Sequence, residues 1–463
     1  MKKDYINMFE TYLYDVIKTY DSKGMAIAIF DKDNTLYEKY IGYSNIEKKT
    51  PINEDTIFGI ASITKSFTSL GVMKLQEDEI IDVNKNVTEY IDGLKCSENH
   101  NPTLSHLLSH NAGYLPQRRL LISEFAKSLD LDYEKDNYST NDEIAQNGIK
   151  EIISQLNSMK TYTGKPGMRM SYSNVSFGVL TEIIRKFGGE KSSCDYIKKN
   201  IIDPLGMNRT FFDFNRADRE TNISTLYYQN EGEIQSTNDF LHMGYVLMGG
   251  GGLKSSVSDM MKYTRMFLNN GKGNANRIVQ SDSIEEMLKP RVECKYKEHY
   301  GYGLSLGEID GISYSGHSGG LTGVSSYFAF SNQANKGVIV LCNTSGVPAS
   351  AIGLAALRLS VDKTPVKDMS ASKETTWSRK TIENTIGMYS SEEGTNIEIL
   401  DLGNSIKLII AGEPFSVKTI SDDLIFIKNK LIESPSRIIR DENNVATAIY
   451  SGFRMIQRKS EIL

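Results

Sequence analysis

Residues 56–76 read TIFGIASITKSFTSLGVMKLQ, a strand-like run leading into an apolar-periodic helix that opens at Ser62. Within it, Ser62-Ile63-Thr64-Lys65 sets a hydroxyl and an amine three residues apart, on one helical face and within mutual reach. A serine hydroxyl attacks poorly until a base removes its proton. A lysine serves as that base if burial and a helix N-terminus lower its pKa. Spacing alone is weak evidence, because Ser360…Lys363 and Ser370…Lys373 share it. Those two pairs fall among polar residues, whereas Ser62 stands between a strand and a core-facing helix.

Upstream, Phe9, Leu13, Val16, Ile17 and Tyr20 follow helical spacing, and MAIAIFD and TLYEKYIGY read as strands around a Lys32-Asp33-Asn34 turn. Downstream, short helices are predicted at 103–110, 144–158, 175–187, 193–201 and 255–268. The runs YGYGLSLGEI, SSYFAF and KGVIVLCN then read as strands, followed by a helix over 347–358. Strands at both ends enclosing helices predict an α+β domain. Its largely antiparallel sheet is assembled from the two ends, and a helical insertion forms the far wall of a cleft.

A chain of 463 residues is about three times the commonest domain length and accommodates a second, smaller domain. The stretch 361–378 is polar and aperiodic, as a linker is, so the expected division is 1–360, linker 361–378, and 379–463. Beyond the linker, NIEIL, SIKLII, FSVKTI, LIFIK and ATAIYSGF alternate between turn signals, which predicts a small all-β, barrel-like domain.

Hydrophobic residues at 39 % and charged residues at 24 % describe a globular protein rather than a disordered or membrane-spanning one. A net charge of −5 with interleaved signs gives no basic footprint for a nucleic acid. The four cysteines lie far apart and form no C-x-x-C pair. The opening MKKDYINMFETYLYD carries charges too early for a signal-peptide core, so a cytoplasmic location is expected. No cofactor and no membrane partner are expected either.

Two further stretches carry chemistry. In TGKPGMRMSYSNVSFGVL a Pro- and Gly-shaped loop presents Tyr172-Ser173-Asn174 directly before a helix. Tyr172 there is a proton shuttle candidate beside Lys65, and the Asn174 amide is a donor for a substrate carbonyl. Gly316-His317-Ser318-Gly319-Gly320 follows the strand-like ISYS. Read as G-x-S-x-G it would be a nucleophile elbow at Ser318, but an elbow needs a following helix and a later histidine. LTGVSSYFAF is strand-like, and the six histidines (100, 106, 110, 242, 299, 317) all lie at or before His317. The expected element is therefore an edge strand bordering a cleft.

Ser62-x-x-Lys65, Tyr172-x-Asn174 and His317-x-Gly319, in that order, resemble the three signatures of the serine β-lactamase-related family. That family includes class C β-lactamases, D-alanyl-D-alanine carboxypeptidases, D-aminopeptidases and esterases. LSHLLSHNAGY at 104–114, IIDPLGMNRTFF at 201–212 and GGGGLKSSVSDMMKY at 249–263 are similar to it as well. The resemblance covers about 1–360. It implies that Ser62 is acylated, that Lys65 and Tyr172 transfer protons, and that Asn174, His317 and Gly319 meet the substrate. Backbone amides of Ser62 and Gly320 would receive the oxyanion. β-Lactamases usually carry Lys-Thr-Gly where this chain has His317-Ser318-Gly319, and that shifts the implied activity toward small peptides, with D-residues among them, or small esters. The alternatives are a β-lactamase and a non-catalytic penicillin-binding-like peptide sensor.

Other patterns read as structure. His106 and His110 have zinc-gripping i, i+4 spacing but lack the Glu of H-E-x-x-H, so no metal is expected. Gly249–Gly252 before Leu253-Lys254 lacks the Gly that precedes a P-loop lysine and reads as a tight turn near the cleft. Asp31-Lys32-Asp33-Asn34 lacks the glycine and glutamate of a calcium loop and reads as a hairpin turn. The tail, weakly similar to β-barrel appendages of some family members, is expected to cover the cleft or to mediate a homo-oligomer.

Overall fold

The computed structural model describes residues 1–97, 99–118, 142–240, 248–366 and 373–459. The strands of the first part are β1 Gly24–Phe30, β2 Thr35–Asn45, β3 Thr50–Pro51, β4 Phe58–Gly59, β5 Leu226–Asn230, β6 Glu233–Thr237, β7 Lys254–Ser255, β8 Val292–Lys295, β9 Glu298–Tyr300, β10 Ser305–Ile309, β11 Ile312–Leu321, β12 Val324–Ser331 and β13 Lys336–Cys342. Nine of them form one antiparallel sheet in the order β3-β2-β1-β13-β12-β11-β10-β9-β8. Both chain ends supply it, as the sequence predicts: β1 pairs with β13, from Met25 opposite Cys342 to Phe30 opposite Gly337.

The sequence GMAIAIF suits the centre of such a sheet because every residue of β1 is buried. Successive side chains leave opposite faces. Ala26, Ala28 and Phe30 therefore join the core shared with the helical insertion, while Met25, Ile27 and Ile29 join a second core. The second core is closed by helix α1, Lys3–Tyr20, through Phe9, Leu13 and Val16, and by the helix Ala349–Ser360. Helices thus cover both faces of the sheet.

The insertion packs helix α2, Thr64–Glu77, against the helix Asn174–Phe187, with α3, Leu104–Leu108, beside them. From Thr64 to Met73 every residue of α2 is buried, the hydroxyls of Ser66 and Thr68 included. It is a core helix rather than an amphipathic surface one. The stacked rings of Phe67 and Tyr263, 3.7 Å between centroids, tie it to the helix Val257–Leu268.

The tail closes into an eight-stranded barrel: β14 Gly387–Ser390, β15 Asn396–Asp401, β16 Ile406–Ile410, β17 Glu413–Thr419, β18 Leu424–Asn429, β19 Ile432–Arg440, β20 Ala446–Ser451 and β21 Arg454–Arg458. Pairing of Tyr389 with Arg458 shuts the ring, which removes every open edge. Tyr389, Ile397, Leu408, Ile425, Ile438, Ile449 and Ile456 fill its interior, one inward residue in two.

Several elements differ from expectation. The helices Phe214–Arg219 and Ser281–Met287 span two turns or fewer, too short for a periodic signal. The helix predicted at 193–201 is a short α segment, Ser193–Ile197, continued by a π turn, Lys198–Ile202. β11 is an edge only in its second half. Residues Ile312 to Gly316 pair with β10, and from His317 onward only β12 remains as a strand partner. Part of the linker, 367–372, lies outside the described residues, as do Ser370 and His242. Among the described residues no helix is long and apolar enough to cross a membrane.

Candidate active site

Ser62 sits in a 3-10 turn, Ala61–Ile63, that feeds directly into α2. Ala61, just before it, holds φ +46°, a left-handed conformation that costs a non-glycine residue about 1 kcal/mol or more. The surroundings enforce it. The Ile60 N–H donates to Leu253 O at 3.1 Å, and Ser326 Oγ donates to Ile60 O at 2.8 Å. On β11, a Cβ at Gly319 would stand 2.2 Å from Ile60 O, so only glycine lets this strand approach the serine turn.

Lys65 is 0 % exposed, and its Nζ donates to Ser62 Oγ at 3.2 Å and to Gly250 O at 2.5 Å. The glycine run at 249–252 therefore does more than turn the chain: its carbonyl fixes the amine against the serine. The same amine lies 4.9 Å from the ring centroid of Tyr172 and 5.5 Å from that of Phe177. The hydroxyl, the amine and the tyrosine ring, which come from two of the three motifs, thus lie together.

Tyr172 is held from both sides of its backbone by His110 at the end of α3. The carbonyl of His110 accepts from Ser171 N–H at 2.8 Å, and its Nδ1 accepts from Ser173 N–H at 3.2 Å. The His110 ring also packs on the Tyr172 ring at 4.2 Å. Burial, and then the nearby Lys65 charge, push the His110 pKa well below the usual imidazole value, which keeps the ring neutral, with its proton on Nε2 and Nδ1 available as the acceptor. His106, its i−4 neighbour, instead uses Nδ1 to accept from the Thr103 N–H at 3.0 Å. The two rings serve different ends of one short helix.

Asn174 opens its helix behind the N-cap Ser173, whose Oγ accepts from Ser176 N–H. Its Nδ2 donates to Glu393 Oε1 at 2.9 Å, and its Oδ1 is buried without a hydrogen-bond partner. His317 is 4 % exposed, with Nδ1 2.6 Å from Ser318 O and Nε2 2.9 Å from Tyr300 Oη. A carbonyl only accepts, so in the neutral ring Nδ1 carries the proton and Nε2 accepts from Tyr300. Burial holds the Tyr300 pKa well above its ordinary value, which keeps that hydroxyl a donor. Beside the motif, Gly319 is buried and Gly320 exposed, with open space where a Cβ would be. A cavity of about 530 Å³ borders the residues Ser318–Leu321 on one side and Ser345–Ser350 on the other.

The alternative serines stand apart from such machinery. Ser318 lies within a continuous strand, not on a strand-to-helix turn. Ser360 Oγ donates to Leu357 O, while Lys363 Nζ donates to Asp310 O. Sequence reasoning missed Glu393 and Phe453, from barrel turns, and Arg454, the first residue of β21. The Phe453 carbonyl accepts from Tyr172 N–H at 2.8 Å, and Arg454 pairs with Glu393 while lying 4.8 Å from the Tyr172 ring. Nothing local in SSEEGTN or SGFRM announces this role.

A buried amine on a serine hydroxyl, a packed tyrosine and a glycine-bordered strand end define a serine-hydrolase type of centre. Residues 9–363 match the Beta-lactamase family model, and the chain belongs to that family. Penicillin-binding protein 4* of Bacillus subtilis (strain 168) is 24 % identical over 320 residues, covering 66 % of this chain and 65 % of the relative. Protein flp of Staphylococcus aureus (strain N315) is 24 % identical over 342 residues, 69 % of this chain and 59 % of the relative. The chain thus spans less than two thirds of the length of these curated relatives. The octameric penicillin-binding protein homologue from Pyrococcus abyssi superposes with a TM-score of 0.69 at 27 % identity, over 98 % of this chain and 100 % of that one. A D-stereospecific amidohydrolase from Streptomyces sp. shares the fold, with a TM-score of 0.59 at 18 % identity over 77 % of this chain and 98 % of that one.

Proposed function

We propose that the protein is a serine hydrolase that cleaves an amide or ester bond in small peptides, with D-residues among them, or in small esters, through an acyl-Ser62 intermediate. The observation that carries this reading is the Lys65 amine, fully buried, within hydrogen-bond distance of Ser62 Oγ and held there by Gly250 O. In the reaction, Ser62 Oγ attacks the carbonyl carbon as its proton passes to the Lys65 and Tyr172 pair. The backbone amides of Ser62 and Gly320 receive the oxyanion, where one donor is worth about 3 kcal/mol. The proton then moves to the departing amine or alcohol, the carbonyl bond to that group breaks, and water hydrolyses the ester on Ser62. Asn174, His317 and Gly319 border the acyl group.

A histidine at 317 with both nitrogens engaged inside the protein offers no fixed cation to a β-lactam carboxylate, which favours peptidase or esterase activity over β-lactamase activity. We place the protein in the cytoplasm, as a homo-oligomer assembled through the barrel. The octameric assembly of the Pyrococcus homologue supports the second point. The test is intact-mass analysis after exposure to a fluorophosphonate probe, with Ser62→Ala and Ser318→Ala as controls. One adduct is expected on the native and Ser318→Ala proteins and none on Ser62→Ala. Labelling that survives Ser62→Ala overturns the assignment, and peptide binding without labelling supports a sensor instead.

A further inference from the structure

Two hairpin turns of the barrel bring charge to the acylation centre. The β14–β15 turn delivers Glu393, whose side chain is 1 % exposed, and β21 opens with Arg454, 21 % exposed and paired with it. Glu393 Oε1 accepts from Asn174 Nδ2 at 2.9 Å, and the Arg454 guanidinium lies over the Tyr172 ring. A carboxylate accepts and does not donate, so this bond assigns the Asn174 amide: its NH2 faces Glu393, and Oδ1 is the atom left buried without a partner.

A buried acceptor with no donor is costly to leave so. A carboxylate retains acceptor sites beyond the two that Asn174 and Arg454 fill. Two acceptors, Asn174 Oδ1 and Glu393, therefore stand together beside Tyr172, Oδ1 without a donor. We propose that they read a nitrogen-borne hydrogen, an ammonium or an amide N–H, on the acyl side of the scissile bond. Glu393 is then a specificity-determining residue that the barrel supplies to the catalytic domain. Arg454 balances its charge when no substrate is present. A plain acyl chain brings no donor and leaves Oδ1 unsatisfied, so it binds less well. This inference rests on the acyl-Ser62 reading.

The test measures how well three amides protect Ser62 from the fluorophosphonate: alaninamide in both enantiomers, its near-isostere 2-methylpropanamide, and the larger N-acetylalaninamide in both enantiomers. In the native protein the nitrogen-bearing amides should protect at concentrations about tenfold lower than 2-methylpropanamide, with the ammonium and amide arms separating the two donor types. Glu393→Gln preserves size and the acceptor for Asn174 but removes the charge, and should reduce the alaninamide advantage about fivefold. Arg454→Met, which frees the carboxylate, should keep or enlarge that advantage. Equal protection by all three amides overturns the proposal. So does an equal loss on all three in Glu393→Gln, or a lost advantage in Arg454→Met. Absence of Ser62 labelling overturns the acyl-enzyme reading, and this proposal with it, and is thereby distinguished from the other failures.

Discussion

Among the described residues two lysines are fully buried, and their surroundings give them different work. Lys65 points at a serine hydroxyl and a backbone carbonyl. Lys254 donates to Phe212 O at 2.6 Å and lies 3.8 Å from the Phe214 ring centroid, and burial pushes its pKa from 10.5 down to about 7. Between those two values the unfolded chain holds a proton that the folded chain lacks. The stability contributed by this site is therefore full above the upper value and is lost as the pH falls toward 7. Urea midpoints at pH 7 and pH 10 should rise with pH in the native protein, and Lys254→Met should flatten that rise. A slope unchanged in the variant would show that other groups set it. The same scale explains the histidines. At i, i+4 spacing His106 and His110 look alike in sequence, yet His110, with φ +55° and a neutral buried ring, braces Tyr172, and His106 caps the start of α3.

Among the elements, the meeting of β11 with the Ser62 turn is the contact on which the site depends. Gly319 is required there by the backbone oxygen of Ile60, 2.2 Å from where its Cβ would be, and backbone does not rotate away as a side chain would. Gly319→Ala should push strand and turn apart, lowering Ser62 labelling by the fluorophosphonate on the order of 100-fold, the effect of an ångström-scale misplacement, while far-ultraviolet circular dichroism stays close to native. Labelling at the native rate would show that the approach is not needed. The strand itself was legible as a strand, because ISYS and LTGVSSYFAF on either side of the motif are strand-like. Its change from interior to edge at His317 was not legible, since that depends on β10 stopping opposite Gly316. The glycine run at 249–252 was legible as a turn, and only the fold shows that Gly250 O meets Lys65 Nζ.

For the whole molecule, the barrel is joined to the first domain by a mixed contact. Tyr450 and Phe453 pack on a cluster of Met170, Tyr172, Val292, Cys294 and Tyr300, and Arg437 Nη2 donates to Glu293 Oε1 at 2.8 Å beside it. We propose that the barrel limits which substrates reach Ser62, or that it builds the oligomer. A chain ending at Val366, and the point variant Phe453→Ala, should raise the labelling rate of a bulky fluorophosphonate relative to a small one severalfold. The truncation should also lower the mass found by light scattering. If neither selectivity nor mass changes, the barrel has neither task.

By itself the sequence determined the two-ended antiparallel sheet, the helical insertion, the all-β tail and the family. Hydrophobic period, turn residues and motif spacing are local properties, and each is written in a few consecutive residues. Ser62 and Lys65 belong to that class, three residues apart in one turn. What only the tertiary structure decided lies across hundreds of residues: Gly250 on Lys65, Glu393 on Asn174, Phe453 on Tyr172. A hydrogen bond between groups so far apart in sequence leaves no period and no spacing to read. Gly250 meets Lys65 because the helical insertion folds back on the Ser62 helix, and the other two exist because two separately legible domains dock with one particular pair of turns over one particular tyrosine.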